Sequence, residues 1–220
     1  MIFGLRKEKL INYLYTQKMK TKLTLLFIAV ASFFVQAQNT EACTETLSLM
    51  STSVKAKDVT AYDYLTTLRK DCPSFHKSIY TLGEFAVKLK IEKATTPQDK
   101  EKYVRDLLKL YDEHDQYFPG NGAGNKMKKG LVLFENKVGT TDEVFQLLDV
   151  AFKTDYANFK YAKAMYVYFE ILVNNHKANK GVELQQVFDK YDDISKKLDE
   201  EEKELSEEND GFLTREEAGQ

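Results

Sequence analysis

Tryptophan is absent from this 220-residue chain, and it holds only three prolines, three histidines and two cysteines. Each scarcity excludes something. Two cysteines permit one internal pair, and without neighbouring histidines they do not complete the four-ligand shell of a zinc site. The histidines, His76, His114 and His176, are far apart in sequence. No Ser-His-Asp, Cys-His or paired-carboxylate arrangement assembles around them, so no catalytic or metal-ligating residue is assigned. Few prolines over such a length leave few helix breakers, which predicts helices with short connections. Positive charge is not in excess either: the formal net charge is −2, and a nucleic-acid partner is excluded for want of a basic footprint. The longest apolar run, Leu23 to Val35, has 13 mostly apolar residues, against the roughly 20 that a membrane-spanning helix needs.

What is present is a chain 43% hydrophobic and 30% charged, the balance of a folded domain or a short repeat array. The apolar run sits in "MKTKLTLLFIAVASFFVQAQ", which starts at Met19. Lys20 and Lys22 supply a positive n-region, and Val35-Gln36-Ala37 supplies a small-residue cleavage site. Residues 19–37 are therefore expected to be an export signal, with a mature chain from about Gln38 and no membrane span after cleavage. Residues 1–18 are foreign to such a signal. Met19 reads as the natural start, and a long basic n-region is the alternative. The residues before Cys43, "TEA", do not form a lipobox.

From residue 41 the apolar residues recur at helical spacing. Cys43, Leu47, Met50 and Val54 mark a first helix. Tyr62, Leu65, Leu68 and Cys72 mark a second, with Asp58 or Thr60 as cap and Pro73 as stop. Phe75, Ile79, Leu82, Ala86 and Leu89 mark a third. Thr96 is the expected N-cap of the fourth, with Pro97 at its first position, where a missing N–H costs nothing. Its stripe is Val104, Leu107, Leu108, Tyr111 and Phe118. After the glycine-rich break "PGNGAGN", a fifth helix carries Met127, Leu131, Phe134 and Val138. Thr140 and Glu143 have capping-box spacing before a sixth with Val144, Leu147, Leu148 and Ala151. The seventh, "YAKAMYVYFEILV", is apolar nearly all round. The eighth is expected to turn Leu184, Val187, Tyr191, Ile194 and Leu198 inward. Residues 189–210 hold 11 acidic and 4 basic side chains, net −7, so the remainder of the chain is positive.

Eight helices with short links read as four antiparallel hairpins. In the first, Cys43 opens one helix and Cys72 closes the next, which places the two sulfurs together at the hairpin's open end. An oxidising compartment preserves such a bond, so a Cys43–Cys72 disulfide is expected, two buried thiols being the plainer alternative.

The hairpins recur with a solenoid-like period, and their residues resemble the tetratricopeptide repeat. With Pro73 as the terminal proline, Ala61 falls on the consensus alanine and Leu65 on the aromatic slot four later. Ile79, Leu82, Gly83 and Ala86 keep the Leu-Gly pair of the next unit without its aromatics. Leu107, Tyr111, Phe118 and Pro119 repeat the end of a second helix. The likeness is specific over residues 42–119 and only architectural over 124–205. The ending "VQAQ" and the two-cysteine first hairpin also resemble exported repeat proteins common in Bacteroidota. The resemblance implies an all-α fold of about four hairpins over residues 38–205, stacked as a short right-handed repeat array. An acidic polar tail follows at 206–220. It also implies a non-catalytic scaffold of the Gram-negative periplasm or envelope that needs no cofactor and binds another protein or peptide. The chain reads as the N-terminal piece of a longer protein.

Other motifs yield to plainer readings. "GNGAGNK", residues 120–126, lacks the glycine before the lysine and the preceding strand of a phosphate loop, and reads as a flexible link. "DEHDQY", residues 112–117, spreads its acids around a helix and reads as a solvated end. The acidic run of the eighth helix lacks the spacing of a calcium loop. Tyr156, Phe159, Tyr161, Tyr166, Tyr168 and Phe169 crowd one region, most expected as core and a minority free to face a groove. Helix 183–205 is the candidate surface for self-association, the basis of a rival reading as a self-assembling structural component.

Overall fold

The computed structural model describes residues 40–217, with side chains to residue 206. The expected extension at 1–18 and signal at 19–37 lie outside the described residues. Every regular element described is helical, eight α-helices and one 3-10 turn, and no strand occurs among the described residues. None of the described helices is long and apolar enough to cross a membrane. The chain divides into two compact units, one through Ile79 and one from Tyr80.

The first unit contains α1, residues 40–55, and α2, Ala61–Asp71. Their buried faces present Cys43 and Met50 from α1 and Ala61, Leu65 and Leu68 from α2. Leu47, Val54 and Tyr62, expected inward, are half-buried. Thr60 is the N-cap residue of α2, and Asp58 supplies the hydrogen bonds there: its carboxylate accepts from the Thr60 amide at 2.9 Å and its carbonyl from the Ala61 amide at 3.1 Å. Pro73 follows the C-cap residue Cys72 and ends the helix. Cys43 and Cys72 are joined as a disulfide across a Cα–Cα distance of 6.0 Å. The hairpin geometry expected from their places at opposite helix ends is the one found.

The helix α3, Ser78–Lys93, begins in the last residues of the first unit and runs into the second. His76 Nδ1 accepts from the Ser78 amide at its start, a capping role for an otherwise isolated histidine. The second unit continues with α4, Pro97–Tyr117; α5, Asn125–Asn136; α6, Thr141–Thr154; a 3-10 turn, Tyr156–Asn158; α7, Ala162–Lys177; and α8, Leu184–Glu217. Each helix from α4 onward packs on the next, and α5 also meets α7. The N-termini form as their side chains dictate. Thr96 Oγ1 accepts from the Asp99 amide and Thr140 Oγ1 from the Glu143 amide, both at 3.1 Å. The Glu143 carboxylate does not return to the cap but pairs with Arg105 of α4, Nη2 to Oε2 at 3.1 Å. That contact pins α6 to α4, raises the Arg105 guanidinium further and lowers Glu143. Gly130 is needed for close packing: a Cβ there would stand 2.7 Å from two side-chain carbons of the fully buried Leu148.

Four expectations are corrected. Phe134 is 38% exposed, and the buried positions of α5 are Asn125, Met127, Gly130, Leu131, Val132 and Leu133. Helix α8 is turned from its expected phase. Ile194 is buried and Val187 half-buried as expected, but Leu184, Tyr191 and Leu198 are 52%, 57% and 42% exposed and Lys197 is buried instead. The inner face uses lysine stems and rings instead of leucines: Lys190 Nζ lies 4.6 Å from the Phe152 ring centre and 5.3 Å from that of Tyr168, and Lys197 Nζ 4.5 Å from that of Tyr156. The "DEHDQY" segment is not a wholly solvated end, because His114 is buried against Tyr80, their rings parallel with centroids 5.3 Å apart. The break after α4 is folded rather than a loose link: Asn125 Nδ2 donates to Asp115 Oδ1 at 2.9 Å, and a Cβ on Gly122 would collide with both side chains.

Candidate functional site

Three helices of the second unit and the start of a fourth define a groove of about 300 Å³. Glu84 and Lys88 come from α3, Tyr111 from α4, Lys128, Leu131, Val132 and Glu135 from α5, and Tyr161 and Lys163 from the entry to α7. The spacing of Glu84 and Lys88, four residues on a helix, brings Lys88 Nζ within 2.6 Å of Glu84 Oε1. Lys128 reaches the other carboxylate oxygen at 3.2 Å and lies 5.6 Å from the centre of the Tyr111 ring. Lys163 pairs with Glu135 at the rim. Burial pushes the Glu84 carboxyl up, but the two lysines outweigh it and hold it below its ordinary value. Burial, then the nearby Glu84 charge, pushes the Tyr111 phenol well up, so that it stays a neutral hydroxyl.

A smaller pit of about 70 Å³ adjoins the groove and shares Glu84, Tyr111 and Lys128 with it. His114 and Asn125 line its far side. The folded loop before α5 makes this wall. Asn125 Nδ2 also approaches the Tyr111 carbonyl at 3.4 Å, and burial pushes the Asp115 carboxyl up although Asn125 hydrogen-bonds to it. A separate apolar notch of about 270 Å³ lies at the α5–α6 turn, with Phe134, Val138, Val144 and Ile171 among its walls.

No group of three or more Asp, Glu, His or Cys residues able to hold a metal occurs among the described residues. The groove's carboxylates are matched by its own lysines, and a single exposed aromatic, Tyr161 at 52%, stands at its edge. A tyrosine so placed offers a flat apolar face and a polar tip at low entropic cost.

Of the six aromatics that crowd residues 156–169, Phe159 and Tyr168 are core, Tyr156 and Phe169 are half-buried, and Tyr161 and Tyr166 are exposed. Sequence reasoning reached Tyr161 only as one of six crowded aromatics and none of the charged groove residues, because Glu84, Lys88, Lys128 and Lys163 carry no motif; their convergence is tertiary. The Cys43–Cys72 pair belongs to the first unit and takes no part in the groove. No family model, no curated protein and no solved structure matches the chain.

Proposed function

We propose that the protein is a non-catalytic, exported adaptor of the cell envelope, which holds a segment of another protein in the groove around Tyr111, Lys128 and Tyr161. The observation that carries this reading is the groove itself: two carboxylates paired to three lysines, apolar Leu131 and Val132 between them, and an exposed tyrosine at the rim. A segment entering it meets hydrogen-bonding groups and an excess of only one positive charge. The tetratricopeptide-like pattern of residues 42–119 supports a binding rather than a chemical role. The disulfide and the signal-like residues 19–37 support export to an oxidising compartment.

The test is cross-linking of the tagged, exported protein in the envelope fraction, compared with Tyr161→Ala and Lys128→Glu. One stoichiometric partner, lost with both substitutions, is the expected result. A partner retained by both would move the binding site elsewhere. Recovery of the chain alone would favour the self-assembling reading, which has its own support in Leu184, Tyr191, Leu198 and Leu205, exposed and seven residues apart.

A further inference from the structure

The shifted phase of α8 leaves a second surface, separate from the groove. Leu184, Phe188, Tyr191 and Leu198 are between 42% and 57% exposed and lie along one strip of the helix, at spacings of four, three and seven. Tyr191 meets Phe169 of α7 with ring centroids 6.0 Å apart. Phe169 shares its strip of α7 with Tyr166, three residues earlier and 62% exposed. The two helices therefore form one apolar seam open to solvent. Its extent, about four turns of α8, is that of a groove which takes a single amphipathic helix.

The charges along the seam decide what fits. On α8 its outer border is Asp192, Asp199 and Glu202, all exposed and all within one position or one turn of the apolar strip. On α7 the border holds Glu170, which accepts a hydrogen bond from the Tyr166 hydroxyl at 3.1 Å. The lysines of this part of α8 are otherwise engaged: Lys190 and Lys197 face the rings beneath, and Lys196 pairs with Glu200 at 4.0 Å. A second copy of the chain brought to this seam would set acid against acid, which opposes association.

We infer that the α7–α8 seam is a docking site for an amphipathic helix of a partner protein, its apolar stripe flanked by lysine or arginine. Leucine-sized side chains fill the seam between Phe169, Phe188 and Tyr191, and the basic flank meets Asp192, Asp199 and Glu202. The inference goes beyond the adaptor reading and stands or falls without it, because no groove residue contributes.

The probe is a labelled synthetic helix of leucine and lysine, with a leucine–glutamate helix of the same apolar pattern as its control. Binding to the full chain is read by fluorescence anisotropy at low and moderate salt. The leucine–lysine helix is expected to bind about tenfold or more tighter, with the difference shrinking as salt rises. Phe188→Ser with Tyr191→Ser abolishes binding, and Asp192→Lys with Asp199→Lys reverses the preference between the two peptides. The same charge change at Asp63 and Asp71, exposed residues of the first unit, leaves it unaltered. Equal binding of the two peptides overturns the inference, as does leucine–lysine binding that survives the Phe188 and Tyr191 changes. A concentration-dependent dimer in sedimentation that Phe188→Ser dissolves would assign the seam to a second copy instead.

Discussion

Helices α1 and α2 are held together differently from α7 and α8. In the first pair, small and aliphatic side chains make the face, and a covalent bond closes the end: Met50, Ala61, Leu65 and Leu68 are fully buried beside the disulfide. In the second pair, α8 lays lysines over aromatic rings. Lys190 covers Phe152 and Tyr168, Lys197 covers Tyr156, and among the described side chains of α8 only Ile194 is a buried apolar residue. The ends of this seam are tied by ions and hydrogen bonds. Lys160 reaches Glu204 at 2.6 Å and Glu201 at 3.6 Å, and the Tyr156 hydroxyl donates to Glu200 at 3.0 Å. Two short helices bury too little surface to hold themselves, and a crosslink reduces the freedom of the unfolded chain instead. A long helix beside an aromatic cluster can be held by lysine stems. Its leucines are then left on the outside, available for other contacts.

The largest effect expected separates the pairs outright. Cys43→Ser with Cys72→Ser, or reduction, removes a crosslink spanning 29 residues and should cost about 3–4 kcal/mol in the first unit on the chain-entropy model. Hydrogen exchange should show α1 and α2 losing protection while α7 and α8 keep theirs. Equal loss in both pairs would mean that the crosslink stabilises the whole chain and the contrast is false.

A smaller effect is expected from the α8 interior. Lys197 Nζ stands 2.6 Å from Glu201 Oε1, and both side chains are nearly buried, at 4% and 12% exposure. Lys197→Met keeps the packing on Tyr156 but leaves Glu201 with only the longer contact to Lys160. The loss should be about 2–3 kcal/mol in denaturant unfolding, and adding Glu201→Leu should restore most of it. If Lys197→Met is neutral, apolar contact holds α8 as it holds α2.

The smallest effect sharpens the contrast by pH. Burial, followed by the hydrogen bond to Glu200, pushes the Tyr156 phenol up to about 12 from an ordinary 10.0. A raised value in the folded state means that the protonated tyrosine is favoured there. Its contribution is complete below pH 10 and is lost as the pH rises through about 12. Tyr156→Phe should remove that pH dependence at a cost of under about 1 kcal/mol at neutral pH, solvent screening keeping it small. A melting profile of the variant that still falls between pH 10 and 12 as wild type does would place the dependence elsewhere.

Much of this was legible in the sequence, and the reasons are local. Thr96, Thr140 and Pro97 act within one turn of their own chain, so spacing alone locates them. The Cys43–Cys72 bond follows from two helices and a short turn. The failures lie where a residue has two competent placements. An apolar stripe alone does not place lysine, whose stem packs and whose ammonium sits well on a ring, and α8 takes that alternative at Lys190 and Lys197. Phe134 stood at helical spacing from Leu131, but the adjacent run Leu131–Val132–Leu133 fills the same space and leaves it at the edge. The groove was not legible at all, since α3, α4 and α5 bring its charges together only in three dimensions.

The phase of α8 also decides the chemistry of neighbouring amines. Lys196 and Lys197 are adjacent in the chain, yet their side chains are 76% and 4% exposed. An acylating reagent that modifies the first finds the second shielded beneath the helix, with its nitrogen held between a phenol ring and a carboxylate. Lys190, at 16%, shares that shelter. Among Lys190, Lys196 and Lys197 the acidic helix thus carries a built-in reactivity pattern, one lysine open and two masked, and the pattern exists only while the helix keeps its hold on the rings below.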